Sequence, residues 1–268
     1  QVAHALALGK QIGAEPLFID LTSVSGRVSR KWELGCFNIR RENLTRSQLY
    51  TIKLRIAAAR RLRRINPEFH LEVMDESYAG APNDRPFQPK VCSGYWQGTE
   101  YFDSVAKSVR QTFAFPDVPA ALTTSITRPN RSVVGVHVRR GDYVSDPIAH
   151  NYHFVCDKNW YLKALQLMRD RLPDCHFCIF SDDPAWAEAA FGSAEDVSIV
   201  ATDRNAPAWL DMALMSQCNH FIISNSSYSW WASYLGKSDD SVTIAPEFWF
   251  RGVPTRPQEI FCSDWVLC

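Results

Sequence analysis

Residues able to hold a charged ligand occur in three short stretches of the chain: HVRRGD at 137–142, SDD at 181–183 and SNSS at 224–227. Arg139 presents a planar fork of donors that fits two oxygens of a phosphate, which suits a diphosphate leaving group. Asp182 can accept the paired N–H donors on a guanine edge, and His137 can contact base, ribose or phosphate. Together these residue types predict a site for a nucleoside diphosphate.

The serine-rich stretch allows two interpretations. Ser226 and Ser227, with Asn225 before them, lie where the free backbone N–H groups of a helix start would point at an anion. The alternative is structural, because short hydroxyl and carboxylate side chains are common helix N-caps. The same alternative applies to the SDDP sequence at 181–184.

The Arg-Gly-Asp string also allows two interpretations. Asp142 is a carboxylate close to the phosphate-binding candidate Arg139, so it can act as a general base. It can instead orient Arg140. A string of this kind around Gly141 can also simply stabilise a turn. Its function therefore depends on whether residues of the other two stretches lie beside it.

Alternating strands and helices are predicted to position the three stretches. Apolar runs predict strands at 133–138, 176–181, 197–201, 220–224 and 242–245. Helical patterns between them predict helices at 158–172, 184–191, 208–218 and 227–235. This alternation is typical of parallel βαβ units with helices on both faces of the sheet. Because ligands bind beyond the carboxyl ends of such strands, we expect the three stretches to meet at one edge.

The N-terminal half has a similar but less regular order. Its pattern predicts a helix, a strand and a second helix with one basic face, at 1–13, 16–20 and 47–66. We interpret the basic face as solvated, with contact to anionic lipid or acceptor phosphates as the alternative. The stretch 115–131, with its prolines, serines and threonines, predicts a linker. We therefore predict two domains, at 1–125 and 126–268.

Composition disfavours several classes of function. The 268 residues carry 29 Lys and Arg against 29 Asp and Glu, and zero net charge argues against a protein that coats nucleic acid. No run reaches the roughly 18 apolar residues of a membrane span. Cys175 and Cys178 would point to opposite faces of a strand, so they are badly placed to share a zinc ion. We expect buried thiols and a reducing compartment.

Absent motifs narrow the reaction further. The sequence has no GxGxxG after a strand, no GxxxxGK[ST] and no GxSxG, which disfavours dinucleotide oxidoreductases, P-loop enzymes and α/β hydrolases. It also lacks Asp-x-Asp, the usual metal clamp on the diphosphate of a nucleotide sugar. Arginine and a helix dipole would have to supply that positive charge. We therefore predict a metal-independent transferase without a cofactor.

Five segments carry a resemblance to a known family. HVRRGDY at 137–143 resembles the His-x-Arg-Arg-Gly-Asp signature of the alpha-1,2-fucosyltransferases of glycosyltransferase family 11, which alpha-1,6- and protein O-fucosyltransferases share in part. The other segments, in the family's order, are GYWQGTEYF at 94–102, FSDD at 180–183, SNSSYSWWASYLG at 224–236 and IAPEFWF at 244–250. The resemblance covers nearly the whole chain.

The resemblance implies an α/β fold of GT-B type, with two Rossmann-like halves whose parallel sheets face across a cleft. The donor GDP-β-L-fucose would bind the C-terminal half, and a galactose-terminated glycan acceptor would bind in the cleft. Acceptor specificity would lie in N-terminal loops such as the one around Trp96. Fucose would pass to the 2-hydroxyl of a terminal β-galactoside with inversion, giving Fucα1-2Gal. The family's Gly-Gly-Leu-Gly-Asn-Gln loop and the first strand would precede Gln1.

The resemblance also implies a role for each candidate residue. Arg139 would bind the β-phosphate and neutralise the leaving GDP. Asp142 would act as base or would stabilise the oxocarbenium ion. The donor-binding residues would be His137 and Asp182 at the nucleoside, Ser226 and Ser227 at the diphosphate, and their neighbours Arg140, Gly141 and Asn225.

Other functions stay open at this point. An alpha-1,6- or protein O-type fucosyltransferase would share the arginine motif, and a catalytically degenerate protein would only bind a GDP-sugar or a glycan. Animal relatives of the family lie in the Golgi lumen, whereas bacterial relatives are cytoplasmic and build lipid-linked glycans. The compact chain and its cysteines favour the bacterial case, with peripheral contact to a membrane or a lipid-linked acceptor and no nucleic-acid partner.

Overall fold

The computed structural model describes residues 1–13, 15–16, 18–19, 34–37, 39, 41–42, 45, 47–48, 50–51, 54, 57–58, 72–75, 90–93, 96, 98–203, 206–252 and 260–268. The chain divides into two compact units, Gln1–Ala114 and Phe115–Cys268. The domain boundary predicted at 125/126 falls inside the helix Ala120–Ile126. This helix belongs to the second unit, where it contacts the helix Ala208–Ser216.

The N-terminal unit opens with helix α1, Val2–Ile12, which ends at Gly13 with a left-handed φ of 67° that favours glycine. Two parallel strand pairs follow, β1 (Phe18–Ile19) with β2 (Arg41–Glu42) and β3 (Glu72–Asp75) with β4 (Lys90–Ser93). Short 3₁₀ turns lie at Leu34–Cys36, Thr99–Tyr101 and Asp103–Val105, before helix α2, Ala106–Thr112. The predicted helix at 1–13 is confirmed, and β1 lies inside the predicted strand at 16–20.

The helix predicted at 47–66 is described in part. Positions 47, 48, 50, 51, 54, 57 and 58 are helical and exposed. The basic residues at 53, 55, 60, 61, 63 and 64 lie outside the described residues. The interpretation of that basic face therefore stays a prediction.

The C-terminal unit contains a six-stranded parallel sheet. Its strands are β5 (Val133–Val138), β6 (His176–Ser181), β7 (Val197–Ile199), β8 (His220–Ile222), β9 (Thr243–Ala245) and β10 (Val266–Leu267). They are ordered β10-β9-β8-β5-β6-β7, so the chain starts in the middle and builds outward first on one side and then on the other. This is the strand order of a doubly wound nucleotide-binding fold, and it reverses between β5 and β8. The predicted α/β class with a parallel sheet is confirmed.

The helices of this unit mostly follow the predicted pattern. They are α3 (Ala120–Ile126), α4 (Gly141–Ser145), α5 (Pro147–Tyr152), α6 (Lys158–Arg171), α7 (Pro184–Phe191), α8 (Ala208–Ser216) and α9 (Ser227–Gly236). The stretch predicted as a linker, 115–131, contains α3 and lies within the second compact unit. Helices α4 and α5 and strand β10 were not predicted. The sequence does contain a helix-start pattern for α5, namely Asp146 directly before Pro147. The Asp146 side chain accepts from two N–H groups of the first turn.

The core of the C-terminal unit lies where α6 and α7 pack on the sheet. Strand β5 is buried along its whole length, and Tyr161, Leu165 and Met168 of α6 are at most 2% exposed. Each large apolar side chain buried in this way contributes roughly 1.5–3 kcal/mol to folding. Because β5 is fixed by this packing, the residues directly after it start from a rigid support.

The described cysteines are free thiols, and most of them are buried: Cys156, Cys175, Cys178, Cys218 and Cys262. Among the described residues, no group of three or more His, Cys, Asp or Glu side chains is arranged as a metal site. No helix in the described part of the chain combines the length and apolar character needed to cross a bilayer.

Candidate functional site

The three predicted stretches meet at the carboxyl edge of the C-terminal sheet. HVRRGD ends β5 and enters α4, SDD follows β6, and SNSS joins β8 to α9. Since β5 lies between β6 and β8, the stretch around Arg139 is the centre of this edge. The strand order reverses between β5 and β8 at the same point, which is where ligands bind in doubly wound folds.

Arg139 binds two carboxylates at this edge. One of its terminal nitrogens donates to Asp142 at 2.5 Å, and the other lies 2.8 Å from Asp182. Asp182 also accepts the backbone N–H of Arg140 at 2.8 Å. Asp182 is thus anchored by two partners, whereas the Asp142 side chain is 51% exposed and has Arg139 as its ion-pair partner.

The absence of a side chain at Gly141 has a steric reason in this arrangement. A Cβ atom at Gly141 would lie 2.6 Å from Asp182 Oδ2, closer than a van der Waals contact allows. Asp182 could move aside only by giving up its bonds to Arg139 and to the Arg140 N–H group. The glycine therefore lets the turn after β5 approach the end of β6 closely.

Arg140 is held away from Arg139 by its own partners. Its Nε donates to Asp183 at 3.3 Å, and its guanidinium carbon lies 4.3 Å from the centre of the Trp186 ring. Asp183 also caps α7, because its side chain accepts the Trp186 N–H at 3.1 Å. Of the two adjacent aspartates, Asp183 is the helix cap, and Asp182 is the one that faces Arg139.

His137 is a buried, uncharged ring beside the strand reversal. Its Nδ1 lies 2.8 Å from Ser224 Oγ, and its ring stacks on Tyr228 with centroids 5.0 Å apart. Burial, with a smaller effect of the nearby Arg139 charge, lowers the pKa of His137 to about 3. The imidazole is therefore neutral at physiological pH and can serve a ligand by hydrogen bonding rather than by charge.

The SNSS stretch combines a capping role with an exposed helix start. Ser226 is the N-cap of α9, and its hydroxyl accepts the Tyr228 N–H at 3.3 Å. Ser227 is exposed at the first position of the helix. Asn225 is buried, and its amide donates to the Trp249 carbonyl at 2.9 Å. Within α9, Trp230 is buried and donates to the Ile260 carbonyl, so it packs the helix against the interior of the unit.

Two aromatic residues at the edge were not singled out from the sequence. Tyr143 lies under Arg139, with the guanidinium carbon 5.2 Å from its ring centre, and it stacks on His153. The spacing of four residues between Arg139 and Tyr143 was an available signal. No sequence signal points to His153, because its place depends on a bridge to Phe250.

Trp96, predicted on the acceptor side, is buried in the N-terminal unit and stacks on His4 at 4.0 Å. Its φ of 51° is left-handed, which is uncommon for a bulky residue. Its neighbours 94, 95 and 97 lie outside the described residues. The structure thus places this side chain inside an aromatic cluster with His4 and Tyr101.

The fold and the site define the C-terminal unit as a doubly wound α/β unit with an arginine–carboxylate cluster at its ligand-binding edge. The family described as Glycosyl transferase family 11 matches residues 44–268, and the chain belongs to this family. The matched range contains all three stretches of the site.

Characterised relatives give the context of this membership. The chain is 36% identical over 137 residues to the O-antigen biosynthesis glycosyltransferase WbnK of Escherichia coli, covering 51% of this chain and 45% of the relative. It is 34% identical over 179 residues to an alpha-1,2-colitosyltransferase of Escherichia coli, covering 65% and 60%. It is 28% identical over 208 residues to human galactoside alpha-(1,2)-fucosyltransferase 1, covering 72% and 55%. The alignments thus span about half the length of these relatives.

Proposed function

We propose that this protein transfers L-fucose from GDP-β-L-fucose to the 2-hydroxyl of a terminal β-galactoside, forming Fucα1-2Gal with inversion and without a metal. The observation that carries the proposal is the position of Arg139 at the strand reversal of a Rossmann-type sheet. Family membership and the names of the relatives support the alpha-1,2 linkage. In the GT-B fold expected of the family, this C-terminal unit is the one that binds the donor.

Arg139 has donors left for a diphosphate. A guanidinium carries five N–H groups in a planar fork. Among the described residues, Asp142 and Asp182 occupy one N–H on each terminal nitrogen. The remaining N–H groups can bind β-phosphate oxygens and stabilise the charge that builds up as GDP leaves.

Asp142 is the carboxylate that we expect to exchange with the diphosphate. Arg139 with Asp142 and Asp182 amounts to one positive and two negative charges, which disfavours an incoming anion. Asp182 is held by the Arg140 N–H as well, but Asp142 is half exposed and free to rotate away from Arg139. Once displaced, Asp142 would turn toward the face of fucose opposite GDP, where it could act on the acceptor hydroxyl.

The reaction then forms one bond and breaks one bond. The acceptor O2 attacks C1 of fucose on the face opposite GDP, and the bond from C1 to the phosphate oxygen breaks with its electron pair going to GDP. The O2 proton passes to Asp142 or to water, and the same carboxylate can stabilise the positive charge on the sugar ring. Arg139 and the first turn of α9 at Ser226 and Ser227 would supply the positive field that a metal provides in other transferases.

The nucleoside would bind beside the neutral His137 ring. A carboxylate has about four acceptor positions, so Asp182 can accept the guanine N–H donors in addition to its two observed partners. We also propose donor contacts for Arg140, Gly141 and Asn225, and the bonds of Arg140 to Asp183 and of the Asn225 amide to the Trp249 carbonyl hold two of them at this edge. We propose a bacterial cytoplasmic setting with a lipid-linked glycan as acceptor, and the two Escherichia coli relatives support the bacterial part of this proposal.

One relative supports a second candidate donor. The alpha-1,2-colitosyltransferase is 34% identical to this chain, and colitose differs from fucose by the absence of one hydroxyl. GDP-colitose would use the same contacts to GDP. A direct comparison of the two donors at equal concentration decides between them, since a site that bonds the additional hydroxyl of fucose rejects the analogue without it.

The decisive experiment is GDP release from GDP-fucose with lactose as acceptor, in EDTA, with product linkage read by NMR. We expect an α1-2 linkage and a loss of about 10²-fold or more in Arg139→Ala. Arg171→Ala is the matched control, because Arg171 lies on α6 and donates to a carbonyl of its own helix. An α1-6 linkage or a protein acceptor would support the rival fucosyltransferases. GDP-fucose binding without turnover would support a binding protein.

A further inference from the structure

We infer that Tyr143 and His153 form a platform of two stacked rings that positions Arg139 for the donor diphosphate. The role rests on the proposed function, since it concerns how the phosphate-binding arginine is held. Neither residue belongs to the set that the sequence motifs assign to the donor. Both are positioning residues, because they act through Arg139.

The ring face of Tyr143 contacts the Arg139 guanidinium, in addition to the two ion pairs of this arginine. The guanidinium carbon lies 5.2 Å from the centre of the Tyr143 ring, within the range of a cation–π contact. An arginine side chain has much rotamer freedom, and two carboxylates alone fix its nitrogens but not the tilt of its plane. The ring face of Tyr143 adds that restriction.

Tyr143 is itself tied to the other side of the strand reversal. Its hydroxyl donates to the Asn225 carbonyl at 3.3 Å. Asn225 follows β8, whereas Tyr143 follows β5, so this bond joins the two strand ends between which the strand order reverses. A ring that holds Arg139 is therefore set relative to the start of α9, where the diphosphate is proposed to bind.

His153 backs the Tyr143 ring. The two rings are stacked and nearly parallel, with centroids 4.1 Å apart and an angle of 4° between their planes. His153 also bridges to Phe250 in antiparallel fashion and meets Tyr152 edge to face. The platform thus extends to the segment after β9, which holds it in place from outside the arginine motif.

No hydrogen bond at Nδ1 to a described residue explains the position of the His153 ring. Its Nδ1 is buried and has no hydrogen-bond partner among the described residues. Burial lowers the pKa of His153, with opposing effects from Asp142 and Arg139, so the ring is favoured in its neutral form. A neutral ring can stack on Tyr143 without repelling Arg139. The face of the ring, rather than its nitrogens, is what the site uses.

The test is GDP affinity by calorimetry for variants made alone and in combination with Arg139→Ala. We expect Tyr143→Leu and His153→Ala to weaken GDP binding about tenfold, as loss of a cation–π contact does. His153→Phe keeps a ring and should recover most of the affinity, whereas Tyr143→Phe keeps the ring but loses the bond to the Asn225 carbonyl and should recover part of it. His220→Phe, at the opposite edge of the sheet, is the matched control and should bind as wild type does.

The combined variants separate positioning from general damage. If the platform acts through Arg139, His153→Ala should cost no further affinity once Arg139 is alanine. If His153→Ala lowers GDP affinity equally with and without Arg139, the platform is overturned and the proposed function is not. Wild-type GDP affinity in both Tyr143→Leu and His153→Ala would have the same meaning. A wild-type protein that binds no GDP would overturn the proposed function, and the platform's role with it. In steady-state assays with GDP-fucose, we expect the ring deletions to raise KM more than they lower kcat.

Discussion

The hydrogen bond between His137 Nδ1 and Ser224 Oγ, at 2.8 Å, joins the ends of β5 and β8 where the strand order of the sheet reverses. Both residues are buried, and His137 is 5% exposed. The carbonyl of His137 is held as well, because the Tyr161 hydroxyl donates to it at 3.1 Å. The residue that opens the arginine motif is therefore fixed at both its ring and its backbone.

Removing the Ser224 hydroxyl should destabilise the C-terminal unit. Ser224→Ala leaves His137 Nδ1 buried without this partner, and we expect a loss of about 1–3 kcal/mol in the free energy of unfolding, measured in urea. Ser224→Thr keeps a hydroxyl and should recover part of the loss. Ser193→Ala, in an exposed turn, is the control. Equal stability of the two alanine variants would contradict the prediction.

Acid should destabilise the protein through its buried histidines. His137 has a folded-state pKa of about 3 against 6.5 in the unfolded chain, so the unfolded state binds the proton first as pH falls. Stability is thus full above pH 6.5 and falls progressively between 6.5 and 3, by ~2 kcal/mol at pH 5 for His137 alone. Burial lowers the pKa of His176 and His220 too, which adds to the slope.

Urea unfolding at pH 7.5, 6 and 5 measures this slope. Asp196, paired with Arg169, has a pKa lowered below its ordinary value of 3.8, so its contribution is lost at lower pH than this window. His137→Gln removes the titrating group and should flatten the dependence even if it lowers stability at every pH. An unchanged slope in that variant would show that His137 is not the group responsible.

A side chain at Gly141 should disturb the arginine–carboxylate cluster. In Gly141→Ala the new Cβ meets Asp182 at 2.6 Å and pushes it from Arg139 and from the Arg140 N–H. We expect about tenfold weaker GDP binding, with a small change in thermal midpoint because Gly141 is exposed. Gly35→Ala is the control, since a Cβ there meets nothing within 4 Å among the described residues. Equal GDP affinity in both variants would count against the cluster.

The sheet and the meeting of the three stretches could be predicted because each rests on a local pattern. Strand β5 is a six-residue apolar run, and the rule that ligands bind at carboxyl ends of parallel strands then places Arg139, Asp182 and Ser226 at one edge. Strand β10 has two residues, which is too short for a periodic signal. Helix α5 depends on the Asp146 cap rather than on an apolar stripe, and α4 has five residues and no side-chain cap.

The partners within the site could not be predicted from the sequence. That Asp182 accepts from Arg139 and Arg140 follows from the register of β5 against β6, in which Val138 lies opposite Ser181. The stack of His153 on Tyr143 needs the bridge to Phe250, far along the chain. Residue types therefore indicated the chemistry, whereas the pairing of both carboxylates with Arg139 needed three-dimensional contacts.

The two carboxylates on Arg139 should have separable effects. Asp142→Asn removes the charge that competes with the diphosphate, so GDP should bind as tightly as in wild type or more tightly, while kcat falls by at least about tenfold through loss of the base. Asp182→Asn should weaken GDP binding, since the amide can no longer pair with Arg139 and accept the Arg140 N–H as strongly. Calorimetry with GDP and initial rates with GDP-fucose give the two quantities separately. Asp239→Asn, on an exposed loop, is the control. Weaker GDP binding in Asp142→Asn would mean that this carboxylate orients Arg139 and does not exchange with the phosphate.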